Sequence, residues 1–167
     1  NKPGLVLRGP FVRRGPDNAG DFWTPFLPGD TVYVEAVGSE APNFEIVEIV
    51  HFDQHPGGAD AEEEEMGAGS VARELSCHLD AMCESVNEFA RDATGQMIFL
   101  CDGVSCHVCT GTLLNDWDDE TAVPWFLTAH HCLSTQAAVN TLEVVWFWQK
   151  DACDGTLPTY DTLPRST

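Results

Sequence analysis

The stretch CTGTLLNDWDDETAVPWFLTAHHC, residues 109–132, reads as a strand, a polar loop and a second strand that ends in polar residues. Upstream, QMIFLC (96–101) is apolar and β-prone, and Asp102-Gly103 after it is a strong hairpin signal. HVCTGTLLND (107–116) is then the return strand, DWDDET a loop, and VPWFLTAHHC (123–132) a buried strand. LSTQAAV suits one short helical turn, and LEVVWFWQK (142–150) a further strand with three large aromatics. Short strands at this spacing, with almost no helical periodicity, predict an all-β sandwich or barrel.

Composition sets outer limits. The chain has 167 residues, 43% of them hydrophobic, with five Trp and nine Phe, enough to build a core. Twenty-seven acidic against eight basic residues give a formal charge of −19. Such a surface repels nucleic acid and anionic membrane, so neither is expected as a partner. No run approaches the apolar length needed to span a bilayer. The start, NKPGLVLRGP, has no apolar signal-peptide core and no initiator Met. The chain is therefore expected to be a mature or clipped form, or a piece of a longer product.

Toward the N-terminus the character changes. Residues 1–30 are rich in Gly, Pro and Arg and read as extended, turn-rich chain. Pro28-Gly29-Asp30 signals a turn ahead of TVYVEAV (31–37), and FEIVEIVHF (44–52) is a second strand candidate, with residues 38–43 joining the two as a hairpin. HPGGADAEEEEMGAGS (55–70) marks an exposed acidic linker. Three regions are expected: a small β-rich N-terminal segment over 1–54, a linker over 55–73 and a β-domain over 74–167.

Seven cysteines stand at 77, 83, 101, 106, 109, 132 and 153. Their concentration in one region of an acidic, aromatic-rich chain suggests disulfides and an oxidising compartment, secreted or periplasmic. The odd count leaves one without a partner inside the chain. The rival reading is a zinc site drawn from Cys101, Cys106, His107, Cys109, His131 and Cys132, but the spacing is not a common zinc pattern. His51 and His55 superficially echo a helical zinc motif; they follow a strand pattern and run into Pro56, which argues against a shared helix face.

Residues 109–114 and 127–132 together resemble the trypsin-like serine protease superfamily. There, a strand opening with Cys, Ser or Thr, Gly, Ser or Thr and Leu is followed by a strand ending Thr-Ala-x-His-Cys. The resemblance implies that His131 is the catalytic general base, that His130 occupies the variable position, and that Cys109 and Cys132 form a disulfide. It extends to the bacterial lysyl-endopeptidase-like subgroup. Cys77 and Cys83 match the two cysteines of its mature N-terminus, and Cys153 matches a cysteine after the strand that follows the histidine. The implied second bridge is Cys83–Cys153, with Cys77 pairing far downstream. Cys101 and Cys106, left over, flank the Asp102-Gly103 turn and are placed to bridge the hairpin. The segment DFWTPFLPGDTVYVEAV is similar, more loosely, to upstream regions of bacterial relatives, as a pro-region or an appended module packed on the protease.

The chemistry explains why histidine suits that position. The base takes a proton from a serine hydroxyl and returns it to the leaving amine, so its pKa must lie near the working pH and its ring must be held in one orientation. The family's aspartate-bearing strand and its G-D-S-G element do not occur in residues 1–167. Asp151, Asp154 and Asp161 lack the apolar strand expected to follow the catalytic aspartate, and Ser134 and Ser166 lack a Gly-rich turn. The chain is thus expected to be the first barrel of a trypsin-like double β-barrel, acting on polypeptide substrates without a cofactor. The missing C-terminal barrel would bring the serine, and the fragment alone would be inactive. A catalytically inactive binding or remnant module is the alternative.

Overall fold

A computed structural model describes residues 6–12, 20–41, 43–52, 55–57, 79–85, 87–101, 105–118 and 120–167. Its elements in chain order are α1 (Glu88–Asp92), β1 (Thr94–Leu100), β2 (Cys106–Leu113), β3 (Phe126–Leu127), α2 (Gln136–Asn140), β4 (Glu143–Trp146), a 3-10 turn over Tyr160–Thr162, and β5 (Arg165–Ser166). The strands form one antiparallel sheet in the order β3-β2-β1-β4-β5. The architecture is mainly β, as the strand spacing predicts, and the sheet curls into a half-barrel.

The pleat sorts side chains onto two faces. Register pairs Met97 with Cys109 and Phe99 with His107 on one face, and Ile98 with Val108 and Glu143 on the other. On the first face Met97 and Phe99 are buried with Cys132 and Ala138, ringed by Cys101, Cys109, Phe126, Leu133 and Leu142. The second face gathers Ile98, Val145 and Tyr160, with Phe52, Cys106, Trp148 and Leu163 around them. Burial of a side chain such as Phe99, Met97 or Val145 contributes about 1.5–3 kcal/mol, and these three are the largest that are fully enclosed.

Curling depends on two glycines. Gly95 and Gly111 face each other in the β1–β2 register. A Cβ at Gly111 would run into the Phe126 ring, and one at Gly95 into Val144, with the Trp146 ring 3.2 Å away. Their bare backbone lets Phe126, from β3, reach Trp146, from β4.

Several elements differ from the sequence reading. The strand expected over 123–132 pairs only at Phe126–Leu127. The one expected over 142–150 stops at Trp146, because Phe147 takes a left-handed φ of 61° that ends the ladder. Residues 31–37 and 44–52 carry no strand pairing among the described residues; Val34 and Val47 are 59% and 86% exposed. Alternation makes a strand only where a neighbour supplies hydrogen bonds and a cover for the apolar face, and among the described residues neither is supplied to 31–37 or 44–49. Helix α1 was not expected: Asn87 caps it by accepting from the Phe89 and Ala90 N–H groups. Asp102-Gly103, Cys77 and all but residues 55–57 of the linker lie outside the described residues.

Candidate active site around His131

His130 and His131 sit on a tight turn rather than on a strand, so the alternation of strand faces does not separate them. The Ala129 carbonyl accepts from the Cys132 N–H at 2.9 Å and from the Leu133 N–H at 3.4 Å, which folds the chain back just after β3. Both imidazoles are exposed, and among the described residues neither makes a hydrogen bond or ion pair.

Three anchors hold the turn. Before it, the Thr128 hydroxyl donates to the Thr110 carbonyl at 3.0 Å, tying the end of β3 to β2. Within it, Cys132 is joined to Cys109 by a disulfide and packs on Met97 and Phe99. After it, Thr135 caps α2 by accepting from the Ala138 N–H at 3.2 Å, and Ala138 is buried in the same cluster. A ring on residue 131 is therefore carried by a rigid seat while its nitrogens remain open to a reacting group. Thr110, Gly111, Thr112, Leu127, Thr128 and Ala129 line an open depression beside that turn.

A second disulfide, Cys83–Cys153, joins the segment before α1 to the loop after β4. Around it Asp80 accepts from the Met82 N–H at 2.9 Å, the Asp154 N–H at 3.3 Å and Lys150 Nζ at 3.4 Å. These donors, the Met82 amide foremost, hold the Asp80 carboxyl below its usual pKa. Asp151 closes the same loop by accepting from the Thr156 N–H at 2.8 Å.

Cys101 and Cys106, expected as a bridge, are not bonded to each other. Cys106 stands opposite Leu100 in the register and packs on the Ile98 face, whereas Cys101 packs on the Met97 face, so the sheet itself lies between the two thiols. Burial pushes the Cys106 thiol up to about 11. The rival zinc set fails on the same geometry, since two of its four cysteines form a disulfide and the other two lie on opposite faces.

Sequence reasoning missed a buried polar cluster on the second face. Glu143, 5% exposed, pairs with Arg165 and accepts from the Phe26 N–H at 2.7 Å. Arg165 also donates to the Tyr160 carbonyl at 3.2 Å, and its guanidinium lies 4.8 Å from the Tyr160 ring centre. Burial raises the Tyr160 phenol well above its usual pKa, and the phenol donates to Gln96 at 2.7 Å. His55 completes the cluster: its Nδ1 accepts from the Gly57 N–H at 3.1 Å, which leaves Nε2 to donate to Asp161 at 3.0 Å. Both ring nitrogens of His55 are thus engaged by partners within the protein. Asp161 is thereby a partner of His55, and Ser166 accepts from the Trp146 indole at 2.9 Å. The only sequence signals were a lone Glu opening the apolar run EVVW and an Arg near its partner strand.

Comparison with known proteins places the chain in a family. The family model described as lysyl endopeptidase, C-terminal domain, matches residues 71–166. A lysyl endopeptidase of Pseudomonas aeruginosa is 29% identical over 150 residues, an alignment that takes in 83% of this chain and 31% of the relative. The chain thus spans about a third of that relative's length. No solved structure matches it at a significant level.

Proposed function

The chain belongs to the lysyl endopeptidase C-terminal domain family, and from that premise we propose that it is the histidine-bearing β-half of a secreted, trypsin-like serine endopeptidase. One observation carries this reading. His131 stands exposed at the tip of a turn whose next residue is bolted by a disulfide to the facing strand, so the ring is fixed at its base and free at its nitrogens.

In the proposed reaction His131 removes the proton from a serine hydroxyl as the oxygen attacks a peptide carbonyl. The imidazolium then protonates the departing amine, leaving an acyl-enzyme. Water, deprotonated by the same ring, releases the acid and restores the serine. The serine and the oxyanion-hole donors come from a second barrel of the full-length protein, which packs beside the turn and completes the cleft, and the aspartate comes from a strand that follows His131 by some tens of residues in the full-length protein. Residues 74–167 belong to the first barrel, in truncated form, and residues 1–54 are a pro-region or a module appended to it. The two disulfides support an extracellular or periplasmic setting, where such bridges persist.

The test is carried out on the full-length protein. Its serine is labelled with a fluorophosphonate probe and peptide cleavage is followed in the wild type and in His131→Ala. The expected outcome is a labelled serine and loss of both labelling and cleavage in the variant. Unchanged cleavage in His131→Ala would remove His131 from the mechanism. Absence of any labelled serine would favour a non-catalytic binding module.

A further inference from the structure

The second face of the sheet is covered by the chain's own N-terminal segment. Three points spaced along that segment converge on one small set of residues. Arg8 donates to the Asp161 carbonyl at 2.8 Å. Phe26 gives its N–H to Glu143 and packs its ring against Phe52 and His55, each 5.2 Å away centre to centre. His55 binds Asp161 and meets the Tyr160 ring at 5.1 Å. Pro56 and Gly57 are buried behind it, with Gly57 so close that a Cβ would lie 2.6 Å from the Tyr160 ring.

The sheet depends on this cover. Glu143 offers two carboxylate oxygens inside a buried site; Arg165 takes one and the Phe26 amide takes the other. Without the segment, one oxygen of a buried carboxylate loses its donor, and Ile98, Val145 and Tyr160 lose part of their apolar cover. Between the anchors at Phe26 and Phe52, residues 31–41 and 43–49 are exposed. The segment therefore grips at its ends.

Its position relative to His131 matters equally. Cys132 packs among Met97 and Phe99, on the face opposite the one the segment covers. We propose that the described N-terminal residues, 6–12, 20–41, 43–52 and 55–57, act as a strap that stays bound to the Glu143–Tyr160 face through its non-covalent contacts, so that a chain cut between Gly57 and Leu79 remains one particle with His131 uncovered. The strap supports the sheet from behind and does not plug the turn. This inference stands apart from the proteolytic reading, since it concerns association and accessibility and needs no activity.

The experiment places a recognition sequence for a site-specific protease between Gly57 and Leu79. After complete cutting, the protein is run on size exclusion at micromolar concentration. Both pieces are expected to co-elute at the volume of the uncut chain. With Phe26→Ala, or separately Arg8→Ala, the strap is expected to leave at least about tenfold faster; these changes lie in the strap, so the sheet's own residues are untouched. In parallel, diethylpyrocarbonate modification of His131, mapped by mass spectrometry, is expected to proceed in the uncut chain within about twofold of its rate in the chain unfolded in urea. Separation of the wild-type pieces on cutting would overturn the strap. Protection of His131 by tenfold or more in the uncut chain would overturn the uncovered turn.

Discussion

Phe126 and Trp146 meet edge to face, ring centres 6.0 Å apart and planes at 90°, although β2 and β1 lie between their strands. The two rings close over Gly95 and Gly111, the paired positions at which the central strands carry no side chain. Phe126 packs in the same cluster as Cys109 and Cys132, whose disulfide holds the turn that carries His131.

Gly111→Ala is expected to lower stability by about 1–3 kcal/mol, the usual range for overpacking a filled site, because the new methyl group collides with the Phe126 ring. Gly38→Ala, where the nearest atom is 3.8 Å from the added carbon, is expected to change stability little. Urea midpoints of the two variants provide the check; equal midpoints would mean that the glycine pair does not govern the curl.

Removing the partner of a buried charge costs more than removing the pair. The Glu143 and Arg165 side chains are 7% and 4% exposed. Glu143→Ala strands Arg165 and is expected to destabilise by about 3–5 kcal/mol, whereas Glu143→Met combined with Arg165→Met is expected to lose less than the single change. Denaturant unfolding of both variants would settle the order, and a double variant weaker than the single would contradict it.

Loss of the Cys109–Cys132 bridge by Cys132→Ser is expected to cost about 2–5 kcal/mol. In the unreduced native protein Cys83, Cys109, Cys132 and Cys153 should resist alkylation because they are bonded. Cys106 should also react slowly. With its thiol raised from 9.0 to about 11, it carries about a hundredfold less thiolate near neutral pH than an ordinary cysteine. Peptide mapping after iodoacetamide treatment reads this directly, and rapid labelling of Cys106 in the folded state would contradict its burial.

Acid should weaken the fold. The Thr121 hydroxyl, foremost, holds the Asp116 carboxyl below its ordinary 3.8, and the Thr156 amide does the same for Asp151. A depressed folded-state pKa means that the unfolded chain binds more protons in acid. The stabilisation is present above the ordinary value and is lost as pH falls through the lower folded value. Asp151→Asn keeps an oxygen that accepts from Thr156 but no longer titrates, so its stability should depend less steeply on pH below about 4. Thermal midpoints recorded from neutral to acid pH for wild type and variant would show the flattened slope, and parallel curves would exclude Asp151 as a contributor.

His131→Ala should leave the fold in place. The ring is exposed and makes no hydrogen bond or ion pair among the described residues, so stability is expected to stay within about 0.5 kcal/mol of wild type. A larger loss in urea unfolding would give the histidine a structural task and weaken the reading of it as a base.

Much of this protein was legible in residues 94–146. Alternation, the aromatic runs and the absence of helical periodicity led to an antiparallel β-domain, and the resemblance carried by the residues around Cys109 and Cys132 pointed to His131 as the expected base. Those features are local, and a strand's period or a motif's spacing is written in neighbouring residues. Register was not. That Cys101 and Cys106 face away from each other follows from pairing Leu100 with Cys106, a count that depends on where the hairpin turns. Nor could the alternating residues 31–37 reveal that, among the described residues, no strand pairs with them. The polar cluster on the back of the sheet was further out of reach. Phe26 and Glu143 are 117 residues apart, and His55 and Asp161 are 106 apart. Nothing local marks such partners, because burial of a charge becomes tolerable only once the fold has brought its counter-charge and an amide to it. The sequence by itself determined the β-architecture, while the turn that carries His131 came from the fold. The tertiary structure alone decided which face the N-terminal segment covers, because that choice rests on contacts between residues far apart in the chain.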